Sequence, residues 1–385
     1  MFGSLGMAVL LLPLGLALGW QLHRLSRETP EESSGTPVSP DYLEGLQLLA
    51  SGDPDRAIAA LTRAVAVDQD TIELHLTLGR LFRKRGEVDR AMRIHQHLLA
   101  REGIPAAQVN QVRLELARDY HEAGLLDRAE GLYRELIDDG MFLEDALRAL
   151  LAILEQTRDW AAAESVAQRL QSVLGQSHAL QIAHYCCEQA DAALAAGDRD
   201  RALALAERAL DVDGGCVRAS LLLGELQEKA GQYRAALRAY ERVPEQDLDF
   251  FAMVLPRLRR VHAELGRDGG YRRYLVAAEK HYDSVQPVLA RLRLDAEGGG
   301  DVVEELVALC RRQPTWTGLR MLAEMRAGHD DLAQVLHEGM ETALQSAPQN
   351  RCENCGLTPR MLFWQCPSCK QWATIRPRSD RLQNN

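Results

Sequence analysis

The sequence predicts an all-α protein: a long stack of helix–turn–helix repeats, preceded by one apolar segment and closed by a small cysteine-rich module. Three observations carry this. Hydrophobic residues make up 46% of the chain but aromatics only 5%, so the apolar content is mostly Leu, Ala and Val, which favours helix over sheet. A small-residue signature recurs about every 34 residues. Four of the eight cysteines fall in two C-x-x-C pairs at the end of the chain. At 385 residues the chain has room for two or three ordinary domains or one long solenoid.

Met1–Trp20 contains no charged side chain. About 20 helical residues span roughly 30 Å, the thickness of a bilayer core. Pro13 and several glycines lie inside the segment, which membrane helices tolerate. His23, Arg24 and Arg27 follow, and no Lys or Arg precedes. The positive-inside bias then puts the rest of the chain in the cytoplasm. The alternative is a cleaved signal peptide, but there is no basic n-region, and Leu18–Gln21 is a poor cleavage signal. The expectation is a retained anchor over 1–21. Residues 22–40 read as a flexible linker: Ser26–Pro40 holds three prolines and no helical period. Fully extended, that stretch reaches about 50 Å.

The repeats come next. Ala57, Ala91, Ala129, Ala163, Ala202 and Ala236 are spaced 34, 38, 34, 39 and 34 residues apart. Five residues before each stands Gly52, Gly86, Gly124, Arg158, Gly197 or Gly231. Twelve before stands Gly45, Gly79, Ala117, Leu151, Ala190 or Gly224. Small residues at two such positions let paired helices cross closely, and Gly between them reverses the chain in a left-handed conformation. Phe82, Tyr120, Tyr133 and Tyr240 fall where large side chains fill the space between helices. Asp53, Glu87, Asp127, Asp159, Asp198 and Gln232 follow the turns, suited to helix N-termini. The 34-residue period resembles the tetratricopeptide repeat over 41–245. Residues 246–347 keep helical periodicity between glycine breaks and read as degenerate repeats of the same kind. Stacked repeats of this type form a superhelical solenoid with a groove for peptides or proteins, and the repeat itself carries no chemistry.

The module over 350–385 holds Cys352, Cys355, Cys366 and Cys369. In each C-x-x-C turn both thiolates point one way, and two facing turns make a tetrahedral four-sulfur site. Gly356 follows the first pair, where such a turn accepts a positive φ. A tail this small has too little core to fold alone, so the metal is structural. Met361, Leu362, Phe363, Trp364 and Trp372 either cover the cluster or dock on the last helices of the solenoid. The Cys-Pro-x-Cys pair resembles rubredoxin, with a shorter loop between the pairs. Spacing alone leaves iron and zinc open. The remaining cysteines, Cys186, Cys187, Cys216 and Cys310, read as core residues in a reducing compartment.

Charge excludes one function class. The net charge is −10, a poor match for nucleic acid. The last 35 residues carry +4 and the remainder −14, so the cysteine module differs electrostatically from the solenoid. No phosphate-binding, zinc-protease or nucleophile-elbow motif is present. His95 and His97 lie two apart on a helix and read as partly exposed residues rather than ligands.

One membrane anchor, a tetratricopeptide array and a terminal CENCGLTPRMLFWQCPSCKQWATIRP knuckle together resemble the lipopolysaccharide assembly protein B family of Gram-negative bacteria. The resemblance spans the whole chain. It implies a single-pass protein of the inner (cytoplasmic) membrane facing the cytoplasm and no enzymatic activity. It implies an adaptor that, with a membrane-bound ATP-dependent zinc protease, controls degradation of the lipid A pathway deacetylase. Other lipopolysaccharide assembly or transport proteins are further implied partners. The four knuckle cysteines match the family's metal ligands, and the resemblance favours iron, with zinc the alternative. An envelope-assembly scaffold and a rubredoxin-type electron carrier are the competing functional readings.

Overall fold

The computed structural model describes residues 40–67, 72–266, 269–327, 331–347 and 349–378. The expected anchor and most of the linker lie outside the described residues. Among the described residues, no helix is long and apolar enough to cross a membrane. The chain divides into two compact units, Met1–Met141 and Phe142–Asn385.

Among the described residues the first unit holds three helix pairs: α1 (Pro40–Ala50) with α2 (Pro54–Val67), α3 (Ile72–Lys84) with α4 (Val88–Leu99), and α5 (Ala106–Glu122) with α6 (Leu126–Asp138). The small-residue signature has the physical role expected of it. Ala57, Ala91 and Ala129 are fully buried. A Cβ on Gly45 would run into the Leu61 side chain, and one on Gly79 would overlap the His95 imidazole. Gly52, Gly86 and Gly124 all take positive φ. At the second turn Gly86 N donates to Arg83 O at 2.9 Å and Glu87 N to Phe82 O at 2.8 Å, closing the helix end with paired reverse bonds.

Two expectations need correction here. His95 is fully buried, not partly exposed. Its Nδ1 lies 2.5 Å from Asp119 Oδ2. It is the large residue that fills the space left by Gly79, and Asp119, itself buried, orients it. Arg83 completes the set, donating to Asp119 and Glu115 at 2.6 Å each. His97 is exposed. Asp127 is not at the helix boundary: Leu125 occupies the N-cap of α6 and Asp127 sits in the first turn. Asp159 and Asp198 do cap their helices, accepting from the N–H groups of Ala162 and Arg201.

The second unit continues with α7 (Leu143–Thr157), α8 (Trp160–Leu174), α9 (Ala179–Ala195), α10 (Arg199–Val212), α11 (Val217–Lys229) and α12 (Tyr233–Glu241). A short α13 (Val243–Gln246) and a 3-10 turn (Leu248–Phe250) follow. Then come α14 (Phe251–Glu264), α15 (Gly270–His281), α16 (Gln286–Glu297), α17 (Val303–Arg312), α18 (Trp316–Ala327) and α19 (Asp331–Ser346). Ala163, Ala202 and Ala236 are again fully buried, and a Cβ on Gly224 would overlap the Tyr240 ring. Arg158, where the other repeats have Gly, adopts the same left-handed turn at φ 61°. Cys186 and Cys187 lie in the core with Cys216, as small apolar residues would. The unit ends in β1 (Asn350–Cys352) and β2 (Ile375–Pro377), an antiparallel pair with Cys352 opposite Ile375.

Candidate metal centre and its docking surface

The two cysteine turns are built alike. In the first, Gly356 N donates to Cys352 O at 2.9 Å, and Cys352 N donates to Leu357 O at 2.7 Å. In the second, Lys370 N donates to Cys366 O and Cys366 N to Gln371 O, both at 2.9 Å. The residue after each pair needs a left-handed backbone. Gly356 supplies it at φ 77°, but Lys370 must take φ 60° with a full side chain. Asn350, buried beneath the module, donates its side-chain amide to Arg360 O at 2.9 Å and so fixes the loop between the turns.

The four sulfurs converge. All lie within 4.8 Å of one another, with Cys352 to Cys369 at 3.8 Å and Cys355 to Cys366 at 3.7 Å. A zinc-type ion with four sulfur bonds of about 2.3 Å requires sulfurs about 3.8 Å apart, so the set fits one tetrahedral ion. The electrostatics agree. Burial opposes ionisation of Cys352, but hydrogen bonds from Thr374 and from the N–H groups of Cys355 and Asn354 outweigh it and pull the thiol down to about 6. Cys369 is lowered by the Asn354 side chain and the Gln371 N–H. Cys366 is pushed up to about 11, by burial and by its neighbouring sulfurs. Four thiolates in contact repel one another, and a bound cation removes that penalty. Cys352 and Cys366 are buried against Ile375 and Leu357, while Cys355 faces solvent.

The knuckle does not sit on the last helices of the solenoid. Leu362 helps cover the cysteines, but Trp364 and Trp372 dock on residues from α7, α8, α9 and the 3-10 turn. Trp372, only 6% exposed, stacks on His184 at 5.1 Å and meets Trp160 and Tyr185 edge-on at 5.8 and 5.7 Å. Trp364 stacks on Phe250 at 5.6 Å. Arg376 pairs with Asp247 and lies over the Phe250 ring. Glu155 receives three donors: Tyr185 Oη at 2.5 Å, Trp372 Nε1 at 2.9 Å and Gln365 Nε2 at 3.2 Å. Such aromatic pairs contribute about 0.5–1.5 kcal/mol each beyond area burial. The reason for the location is chemical. The rings and the acceptor that match two indoles stand on α7, the start of α8, α9 and the 3-10 turn, not on α17–α19.

Sequence reasoning missed this surface. Glu155 stands four residues after Leu151, a position that holds Leu49, Arg83, His121, Leu194 and Glu228 in the other repeats, so the register gives no consistent polar signal there. That it would accept from a tryptophan far along the chain was not legible either.

Comparisons with known proteins fit this geometry. A family described as a rubredoxin metal binding domain, with a zinc-ribbon label, matches residues 351–377. The tetratricopeptide repeat family matches 48–108 and 193–255. The chain is similar to lipopolysaccharide assembly protein B of Escherichia coli K12, at 32% identity over 376 residues covering 96% of this chain and 97% of the relative. It is similar to the protein of the same name from Haemophilus influenzae, at 33% identity over 392 aligned residues, 97% of this chain and 98% of the relative. Among solved structures, Naa15/Naa10 bound to HypK-THB matches 79% of this chain and 46% of its own, at 14% identity and a TM-score of 0.48.

Proposed function

The chain belongs to the lipopolysaccharide assembly protein B family, and on that premise we propose that it is a membrane-held regulatory adaptor that presents the lipid A pathway deacetylase to a membrane-bound ATP-dependent protease. Met1–Trp20 anchors it in the inner membrane and residues 22–40 tether the repeats on the cytoplasmic side. The repeats over 41–245, continued by degenerate ones over 246–347, bind the client and other lipopolysaccharide assembly proteins. Cys352, Cys355, Cys366 and Cys369 hold one metal ion, iron or zinc. The ion supplies a crosslink among four thiolates, and the protein contributes no catalytic group.

The observation that supports this reading best is the latching of the knuckle onto the solenoid through Glu155, Trp364 and Trp372. It joins a basic module to acidic repeats in one body, so two proteins can be bridged at once. Two of the four sulfurs are buried and the module is packed into the repeats, which suits a structural ion better than an electron carrier.

The test is the half-life of the deacetylase after translation is blocked, in wild-type, deletion and Cys369→Ser cells. Loss of the protein should stabilise the deacetylase and raise lipopolysaccharide, and the cysteine variant should behave like the deletion even when it accumulates normally. An unchanged half-life in the deletion strain rules the adaptor out in favour of an assembly scaffold.

A further inference from the structure

The chain from Cys369 to β2 turns twice through the left-handed region without a glycine. Lys370 takes φ 60° and Ala373 takes φ 52°. That conformation is unfavourable for any residue with a Cβ, and it persists only where the surrounding structure imposes it. The turn at Lys370 matches the one at Gly356 in the first cysteine pair. The turn at Ala373 has no such match, because residues 357–365 contain no positive φ.

The second turn places Thr374. Ala373 N donates to Trp364 O at 2.7 Å, and Glu353 N donates to Thr374 O at 2.8 Å, so the backbone is pinned on both sides of the bend. Ile375 then pairs with Cys352 across the two strands. The Thr374 hydroxyl comes to rest 3.3 Å from Cys352 Sγ. Two acceptors among the described residues lie near that hydroxyl. Gln371 O stands at 3.4 Å, beyond the usual range of an O–H···O bond. Sulfur is the larger atom, so 3.3 Å is a close approach to it. A metal-bound cysteine is a thiolate with no proton to give, which makes the hydroxyl the donor.

The backbone treats the two cysteine turns alike. Cys352 accepts from the N–H groups of Cys355 and Asn354, and Cys366 from those of Cys369 and Ser368. Thr374 adds a side-chain donor to Cys352 alone of these two. Cys352 is 0% exposed, so water does not replace that donor.

We propose that Thr374 is a positioning residue of the metal centre, whose hydroxyl donates to the metal-bound Cys352 sulfur and sets how long the knuckle keeps its ion. The bond draws charge from one of four crowded thiolates and fixes the orientation of that ligand. The inference rests on the reading that Cys352, Cys355, Cys366 and Cys369 hold one ion, and the experiment separates the two.

The full chain is compared with Thr374→Val, which keeps the shape without the hydroxyl, and Thr374→Ser, which keeps the hydroxyl. Zinc-loaded Thr374→Val should lose its ion to excess chelator on the order of tenfold faster than wild type, while Thr374→Ser stays near wild type. Cobalt(II), loaded in place of zinc, reports the sulfurs through its thiolate-to-metal charge-transfer bands. A sulfur relieved of a hydrogen bond is the better electron donor, so these bands should move to longer wavelength in Thr374→Val and not in Thr374→Ser. Faster zinc loss with unmoved bands would show that Thr374 acts by packing alone, and would overturn the proposal. So would a valine variant that loads one equivalent and matches wild type in both measurements. Wild-type protein that takes up neither ion would overturn the four-cysteine reading and this inference with it.

Discussion

Trp372 donates its indole N–H to the Glu155 carboxylate at 2.9 Å across 217 residues of sequence. Glu155 also accepts from Tyr185 and Gln365, so its removal strands the Tyr185 and Trp372 donors and leaves Gln365 with its bond to Lys370 O. A hydrogen bond to a charged group contributes about 1.5–3 kcal/mol. Glu155→Ala should therefore destabilise the second unit by about 2 kcal/mol, read from urea unfolding followed by tryptophan fluorescence. Glu155→Gln keeps an acceptor for the indole and should lose about half as much. An alanine variant indistinguishable from wild type would mean that the latch contributes nothing to stability.

The glycines at helix crossings should not be equivalent. Gly79 abuts an imidazole held by Asp119, and Gly224 abuts a Tyr240 ring whose hydroxyl is tied to Glu228 at 2.8 Å. Neither ring can swing aside freely. Gly79→Ala and Gly224→Ala should each cost about 1–3 kcal/mol. Gly45→Ala meets only the flexible Leu61 side chain and should cost less. Thermal melts of the three variants would test the order, and equal melting points would refute it.

Lys370 occupies the left-handed position that Gly356 occupies in the sister turn. A non-glycine residue there costs about 1–2 kcal/mol. Lys370→Gly should relieve that strain and slow metal loss to a competing chelator, whereas Gly356→Ala should hasten it. Faster loss from Lys370→Gly would show that the lysine side chain matters more than its backbone.

His184 is buried, with Arg218 nearby, and its pKa falls from 6.5 to about 3. The folded state therefore keeps it neutral where the unfolded chain protonates it. The stability it contributes is fully present above about pH 6.5 and is lost progressively as pH falls towards 3. At pH 5 the loss amounts to about 2 kcal/mol. His184→Phe should flatten this part of the acid dependence. Urea midpoints at pH 7.5 and pH 5 for both proteins would measure it, and parallel shifts would exclude His184 as the source.

The repeats were legible because close helix crossings tolerate few residue types. Ala57 through Ala236 and the turn glycines mark those crossings in the sequence itself, and the structure buries every one of the alanines. The cysteine turns were legible for a similar reason, since two C-x-x-C pairs leave little choice of geometry. What the sequence concealed depends on neighbours remote in the chain. His95 reads as an ordinary helix residue until Gly79 and Asp119 are brought beside it. Arg158 takes a left-handed turn against its own preference because the paired helices on either side impose it. Glu155 and Trp372 are each unremarkable alone, and nothing local announces that they meet.

The order of synthesis gives the Glu155–Trp372 contact a further meaning. A ribosome adding about 5–20 residues per second exposes Glu155 roughly 10 to 40 seconds before Trp372 is made. During that interval Trp160, His184 and Tyr185 present an uncovered aromatic face to the cytosol, of the kind that chaperones recognise. A chain terminated before Trp372 lacks the side chain that covers that face. Closure of the face therefore waits until the chain has been made through Trp372.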